Sequence, residues 1–218
     1  MNQLPTIMKI LVAGGSGKTG RHIIELLQED DHEVACIVRD RAMIAEMEKL
    51  GVKALLANLE MDVEFAVEGV EAVIFAATSG ATPGSNKNYL VDRDGAIKLI
   101  NACEKNAVER FILLSDKRTG KPDSSDGLRD YLLAKKEAEA RLQKSRLNYT
   151  IVRAGRLNDD RERGSVTAAV DLGRSYGEIS RADVARVIVS ALDKPSTYRK
   201  AIEVIGGDQP IEEALKRV

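Results

Sequence analysis

Short apolar runs alternate with amphipathic stretches along almost the whole chain. The runs are rich in Val and Ile and are apolar at consecutive positions, which is typical of strands that are covered on both faces. They predict strands at 9–13, 33–38, 53–56, 72–77, 110–115, 149–153 and 201–205. Between them, apolar positions that recur with the helical period predict helices at 17–28, 41–50, 63–67, 87–106, 126–145 and 181–193.

This alternation of strands and helices indicates one architecture. Successive strands that are joined by helices lie parallel and are connected by right-handed crossovers. We therefore predict an α/β, single-domain, doubly wound Rossmann fold, whose parallel seven-stranded sheet has the order 3-2-1-4-5-6-7 with helices on both faces. The length of 218 residues suits one such domain over 1–218. The ligand crevice is expected where strands one and four end.

Two segments without clear periodicity follow strand ends, at 79–88 and 156–179. Loops at the carboxyl edge of a parallel sheet overhang the ligand crevice and often carry function. We therefore predict that both act as small lid or substrate segments, with plain surface loops as the alternative.

A glycine cluster separates the first predicted strand from the first helix. Gly14, Gly17 and Gly20 follow a G-x-x-G-x-x-G pattern, in which free backbone N–H groups and the helix dipole favour a phosphate. Gly17 is followed by the Lys-Thr pair that ends the P-loop of mononucleotide-binding proteins. The P-loop needs a small residue about five positions before that glycine, but Val12 stands there, within the strand. The spacing therefore favours a dinucleotide.

The residues after the second predicted strand indicate which dinucleotide is bound. Arg39 occupies the position that faces the adenosine ribose, where an arginine suits a 2′-phosphate and a carboxylate would repel it. Arg41 adds positive charge nearby, so NADP is favoured over NAD. In the alternative, both arginines are solvated and Asp40 caps the next helix. Asn58, after the third strand, is a candidate for the adenine edge or a turn residue.

Tyr131 and Lys135 form a Tyr-x-x-x-Lys pair. This spacing places both side chains on one face of a helix. Lys135 is expected to lower the pKa of the Tyr131 phenol, so that the tyrosine can donate a proton to a carbonyl oxygen as hydride arrives at carbon. Ser115, which ends the fifth predicted strand, is a candidate hydroxyl for orienting that oxygen. Such a pair also arises by chance, with the tyrosine at the edge of the core and the lysine on the surface.

Composition and charge argue against several other classes of function. A net charge of −1 provides no general attraction to nucleic acid or to a membrane surface, so we expect neither as a partner. The two cysteines, Cys36 and Cys103, fall in predicted buried elements, which favours free thiols and a cytoplasmic location. The two histidines, His22 and His32, have no metal-ligand spacing, and we predict no metal site. The expected partner is a small-molecule acceptor, for a chain that is a monomer or a homodimer.

Several segments, taken in order, resemble the short-chain dehydrogenase/reductase superfamily. They are the glycine turn, Arg39, FAA at 75–77, RFILLS at 110–115, YLLAK at 131–135 and YTIVRAG at 149–155. The chain looks most like the atypical NAD(P)H-binding branch that is related to NmrA-like proteins and to biliverdin and flavin reductases. The resemblance implies a 2′-phosphate at Arg39, an adenine at Asn58, a ribose beside Ala76 and Ala77, and a pyrophosphate held by Gly14, Ser16, Gly17, Lys18, Thr19 and Gly20.

The chain departs from that family pattern at positions that bear on chemistry. Relatives usually carry Asp at the position of Asn58 and Pro at the position of Ala154. Charged residues follow Ser115 where relatives often have further serines or threonines, so Thr119 is a second candidate for the catalytic hydroxyl. The resemblance implies an NADPH-dependent oxidoreductase that reduces a small carbonyl, quinone or flavin. A non-catalytic protein that senses NADP(H) and regulates a partner is the alternative.

Overall fold

A computed structural model describes residues 7–78, 88–120 and 128–218. These residues form one large sheet of nine strands and a small sheet of two strands. The strands are β1 (Lys9–Ala13), β2 (Glu33–Val38), β3 (Lys53–Leu56), β4 (Ala72–Phe75), β5 (Arg110–Asp116), β6 (Asn148–Ala154), β7 (Arg156–Asn158), β8 (Ser165–Ala169), β9 (Glu178–Ser180), β10 (Lys200–Gly206) and β11 (Gln209–Pro210). The helices are α1 (Lys18–Glu29), α2 (Ala42–Lys49), α3 (Ala96–Lys105), α4 (Arg129–Gln143), α5 (Arg181–Ser190) and α6 (Ile211–Lys216). A π-helical segment covers Asn88–Gly95, and 3-10 turns cover Glu64–Val67, Lys117–Gly120 and Pro195–Thr197.

The large sheet confirms the predicted α/β fold. Its order is β3-β2-β1-β4-β5-β6-β10-β8-β11, and the strands from β3 to β10 in this order are parallel to one another. This is the expected doubly wound order, with β10 as the seventh strand. The predicted number of strands is too small, because β8 and β11 extend the sheet beyond β10 as antiparallel strands. Their side chains are partly exposed and form no apolar run, so the sequence pattern does not reveal them.

The structure describes all of one predicted lid segment and almost none of the other. The segment 156–179 contains regular structure where the sequence predicts only loop, since β7 pairs with the start of β9 in the small parallel sheet and β8 joins the large one. The segment 79–88 lies outside the described residues except for its last position.

Alternate side chains of the central strands build a core on each face of the sheet. Ile10 and Val12 of β1 belong to the core that α1, α2, α5 and α6 cover. Leu11 and Ala13 belong to the opposite core, which α3 and α4 cover. Strand β1 is apolar at consecutive positions because both of its faces are buried. The carboxyl ends of β1, β4, β5 and β6 share one edge of the sheet, where the predicted site residues follow.

Candidate functional site

The glycine turn between β1 and α1 lies at this edge of the sheet. Gly14 has a φ of +93°, and a Cβ there would lie 2.5 Å from the Ala77 backbone nitrogen. A Cβ on Gly20 would lie 2.1 Å from the Gly14 carbonyl oxygen, so the close packing of turn and helix requires glycine at both positions. Gly17 precedes α1 and has no side chain to cap the N–H groups of the first helical turn. N–H groups and a helix dipole arranged in this way favour an anion.

One cavity beside the turn is lined by the residues predicted for the 2′-phosphate, the adenine and the ribose, and by three of the six predicted for the pyrophosphate; Lys18, Thr19 and Gly20 do not line it. It has a volume of about 280 Å³, and its walls include Gly14, Ser16, Gly17, Arg39, Asn58, Ala76 and Ala77. Arg39 and Asn58 are both exposed on this wall, after β2 and β3 respectively. The Asn58 side-chain oxygen accepts a hydrogen bond from the Glu60 N–H at 3.0 Å, so this residue also has the turn role considered for it.

The predicted catalytic residues line a second cavity, of about 270 Å³. Tyr131 and Lys135 reach it from α4, and Ser115 reaches it from β5. The two cavities share a wall formed by Ala76, Ala77 and Thr78 after β4. The alternative hydroxyl, Thr119, is fully buried and does not line this cavity.

Lys135 is held in a buried ion pair. Its Nζ lies 3.3 Å from Oδ1 of Asp92, and the two side chains are 6% and 0% exposed. The same Nζ donates a hydrogen bond to the Leu114 carbonyl oxygen at 3.3 Å and lies 5.4 Å from the centroid of the Tyr131 ring. Burial alone lowers the pKa of Lys135, but Tyr131 and Asp92 outweigh it and raise that pKa overall. Lys135 is therefore an ammonium at neutral pH.

The pKa of Tyr131 differs from the sequence-based expectation. Burial raises the pKa of the phenol above its usual value, and the charge of Lys135 opposes this effect only in part. The prediction of a lowered pKa is therefore wrong, because spacing along a helix carries no information on desolvation. Tyr131 is a protonated phenol at neutral pH.

A buried carboxylate lies behind Ser115. Oε1 of Glu139 accepts hydrogen bonds from the hydroxyls of Ser115, at 2.5 Å, and Thr119, at 2.9 Å. Oε2 accepts a hydrogen bond from Nη2 of Arg153 at 2.6 Å. Glu139 is 2% exposed and follows Lys135 by one helical turn. The sequence reasoning missed it, although the shared face of Tyr131, Lys135 and Glu139 on α4 is a signal that could have indicated it.

A second carboxylate missed by the sequence reasoning stands at the mouth of the crevice. Asp159, after β7, lies 2.6 Å from Nζ of Lys18 and 2.5 Å from Nη1 of Arg181, the first residues of α1 and α5. The hydrogen bond from Lys18 and the charges of both cations lower the pKa of Asp159. The buried Asp183 anchors the following segment, because its carboxylate accepts a hydrogen bond from the Arg163 N–H at 3.0 Å. Part of the predicted lid segment thus lies against the glycine turn.

A family model described as NAD(P)H-binding matches residues 14–195. The chain belongs to this family. The matched range begins at the first glycine of the turn and includes all the residues that line the second cavity. The match confirms the resemblance that the glycine turn and the later segments indicate.

Several known proteins are similar to this chain over almost their whole length. The Bacillus subtilis (strain 168) protein named Uncharacterized sugar epimerase YhfK is 38% identical over 216 residues, covering 97% of this chain and 100% of that protein. Sanguinarine reductase from Eschscholzia californica is 29% identical over 255 residues, covering 96% and 93%. A solved structure from Bacillus halodurans, described as an NAD-dependent epimerase/dehydratase, has a TM-score of 0.91 at 38% identity and covers 96% of this chain and 99% of its own.

The described residues fit an NAD(P)H dinucleotide. Gly14 and Gly20 let the turn pack closely against α1 and the end of β4, and Gly17 leaves the N–H groups of the first turn of α1 without a side-chain cap. The two adjoining cavities extend from that turn to Tyr131.

Within residues 7–78, 88–120 and 128–218, no group of three or more His, Cys, Asp or Glu side chains is arranged to hold a metal ion. No helix of the described residues is both long and apolar enough to cross a membrane.

Proposed function

We propose that this chain is an NADPH-dependent reductase that transfers a hydride to a small carbonyl, quinone or flavin acceptor. The observation that carries the proposal is the pair of adjoining cavities at one edge of the sheet. The glycine turn and Arg39 line one cavity, and Tyr131 and Lys135 line the other. Dinucleotides bind in the crevice of a doubly wound sheet outside the carboxyl ends of its strands. The name of one relative, sanguinarine reductase, supports the reductase class.

Arg39 supports NADP over NAD. Its side chain is exposed on the cavity wall, and among the described residues it has no ion-pair partner. The neighbouring carboxylate is engaged elsewhere, since Oδ1 of Asp40 accepts a hydrogen bond from the Ala42 N–H at 2.9 Å. A guanidinium that is not held in an ion pair suits a 2′-phosphate.

The residues of the second cavity have distinct roles in this proposal. NADPH supplies the hydride when it is bound. Asp92 keeps Lys135 charged, so that its ammonium can donate a hydrogen bond to a ribose hydroxyl. Tyr131 stays protonated near neutral pH, so that its hydroxyl can donate the proton that a carbonyl or quinone oxygen requires.

Titration of the purified protein with NADPH and NADH, followed by cofactor fluorescence, tests the choice of dinucleotide. Arg39→Ala should weaken NADPH binding by about tenfold or more and change NADH binding by less than about twofold, because only NADPH loses a charge-assisted contact. Arg146→Ala is the matched control, since this arginine is exposed and lines neither cavity. Equal losses for the two dinucleotides would overturn the 2′-phosphate assignment. Absence of binding to both would overturn the whole proposal.

Turnover separates a reductase from a sensor. NADPH oxidation should be measured with quinones, flavins and aldehydes, for the wild type and for Tyr131→Phe. Loss of aldehyde reduction alone would support Tyr131 as the proton donor to a carbonyl oxygen, whereas unchanged turnover on every acceptor would remove it from the reaction. Tight NADPH binding without turnover on any acceptor would favour the NADP(H)-sensing regulatory protein.

A further inference from the structure

The hydrogen bond between Ser115 and Glu139 has a defined direction. Glu139 is ion-paired with Arg153, whose Nη2 lies 2.6 Å from Oε2, and an ionised carboxylate can only accept hydrogen bonds. Ser115 has a single hydroxyl proton. At an Oγ–Oε1 distance of 2.5 Å, that proton must be the one donated to Glu139.

This direction determines what Ser115 presents to the second cavity. Ser115 lines the cavity beside Tyr131, whereas Glu139 does not. With its proton on the Glu139 side, the Ser115 oxygen faces the cavity with lone pairs only. An N–H or O–H group of a ligand would find a partner there. The oxygen of an aldehyde or ketone is also a hydrogen-bond acceptor. Placed against the Ser115 oxygen, it would find no proton with which to form a hydrogen bond.

We propose that Glu139 is a positioning residue that makes Ser115 a hydrogen-bond acceptor, so that the cavity selects hydride acceptors carrying an N–H or O–H group over simple aldehydes and ketones. The inference rests on the proposed reductase function and narrows its acceptor class. It also assigns Ser115 a role opposite to the donor role that the sequence suggests.

Glu139→Gln reverses this hydrogen bond without leaving the hydroxyls unpartnered. The glutamine oxygen can still accept from Arg153, and its amide nitrogen can donate to the Ser115 oxygen, which frees the serine proton for the cavity. Thr119 can accept from the same amide, because its own hydroxyl already has an alternative acceptor in the Asp116 carbonyl oxygen at 2.8 Å. The variant therefore changes the polarity of the Ser115 contact and keeps the network satisfied.

The affinities for two matched ligands, one with N–H groups and one without, measure this polarity without requiring turnover. Lumichrome is planar and carries two ring N–H groups, and its 1,3-dimethyl derivative has methyl groups in their place. Fluorescence titrations in saturating NADP⁺ should show that the wild type binds lumichrome about five- to tenfold more tightly, the size of one hydrogen bond. Ser115→Ala and Glu139→Gln should each reduce this preference to less than about twofold. Thr119→Val should retain it, because Thr119 donates to the same Glu139 oxygen but does not line the cavity.

The outcomes separate this inference from the proposed function. The inference would be overturned if Ser115→Ala still preferred lumichrome over its dimethyl derivative. It would also be overturned if the wild type showed no such preference or bound neither ligand. If Glu139→Gln does not unfold cooperatively, Ser115→Ala still tests whether Ser115 is the acceptor, because it leaves the Glu139–Arg153 ion pair intact. The NADPH titration answers a separate question: if the wild type does not bind NADPH, the proposed function is overturned, whereas if the wild type binds NADPH but does not prefer lumichrome, only the inference about Ser115 and Glu139 is overturned.

Discussion

Replacing Asp92 with alanine would leave the ammonium of Lys135 buried without its carboxylate partner. The two side chains are 0% and 6% exposed, and Oδ1 and Nζ lie 3.3 Å apart. Removal of one member of a buried ion pair typically lowers the free energy of unfolding by about 3–5 kcal/mol, since the remaining charge is desolvated and uncompensated. The stability of a whole domain is about 5–15 kcal/mol, so the loss would be a large share of the total. We expect Asp92→Ala to be destabilised by this amount.

Urea unfolding at pH 7, followed by circular dichroism, measures the effect as a lower midpoint at an unchanged m-value. Asp94→Ala is the matched control on the same segment, because Asp94 is 34% exposed and pairs with Arg93 at the surface. Its loss should cost less than about 1 kcal/mol.

A double-mutant cycle tests the physical cause of the Asp92 effect. If the cost arises from the unpaired ammonium, Lys135→Met should recover part of the stability lost in Asp92→Ala, with a coupling free energy of about 1–3 kcal/mol. Additive losses in the double variant, or an Asp92→Ala cost below about 1 kcal/mol, would refute the reasoning.

Three further predictions concern the turn, the crevice mouth and the thiols. Gly20→Ala should abolish NADPH binding in a fluorescence titration, because its Cβ would lie 2.1 Å from the Gly14 carbonyl oxygen. The control Gly120→Ala should bind NADPH normally, because its Cβ would meet no described atom within 4 Å. Asp159→Asn should bind NADPH about two- to fivefold more tightly, since the pyrophosphate would no longer compete with a carboxylate for the exposed Lys18 and the partly buried Arg181, and weaker binding would contradict this. Burial raises the pKa of Cys36 to about 11 and that of Cys103 to about 12. Neither thiol should therefore react with Ellman's reagent at pH 8 until denaturant is added. Rapid labelling of the folded protein would contradict this prediction.

The parallel part of the fold could be predicted from the sequence because its signals are local. A strand that is buried on both faces has consecutive apolar residues, and a helix end shows its cap within a few residues. Ser180 illustrates this: a serine followed three positions later by the acidic Asp183 is a local capping pattern, and in the structure its hydroxyl accepts the Asp183 N–H at 3.0 Å. Strand β8 could not be predicted in the same way, since its partly exposed residues become a strand only by pairing with the edge of β10.

The sequence by itself determined the glycine turn and the Tyr131–Lys135 pair, because both depend on spacing within a turn or a helix. Only the tertiary structure decided the partners of these residues. Lys18 meets Asp159 across 141 positions of sequence, and Glu139 meets Ser115 because β5 and α4 are adjacent in space. The sign of the pKa shift of Tyr131 is decided in the same way, since desolvation depends on everything packed around the phenol and not on the lysine one turn away.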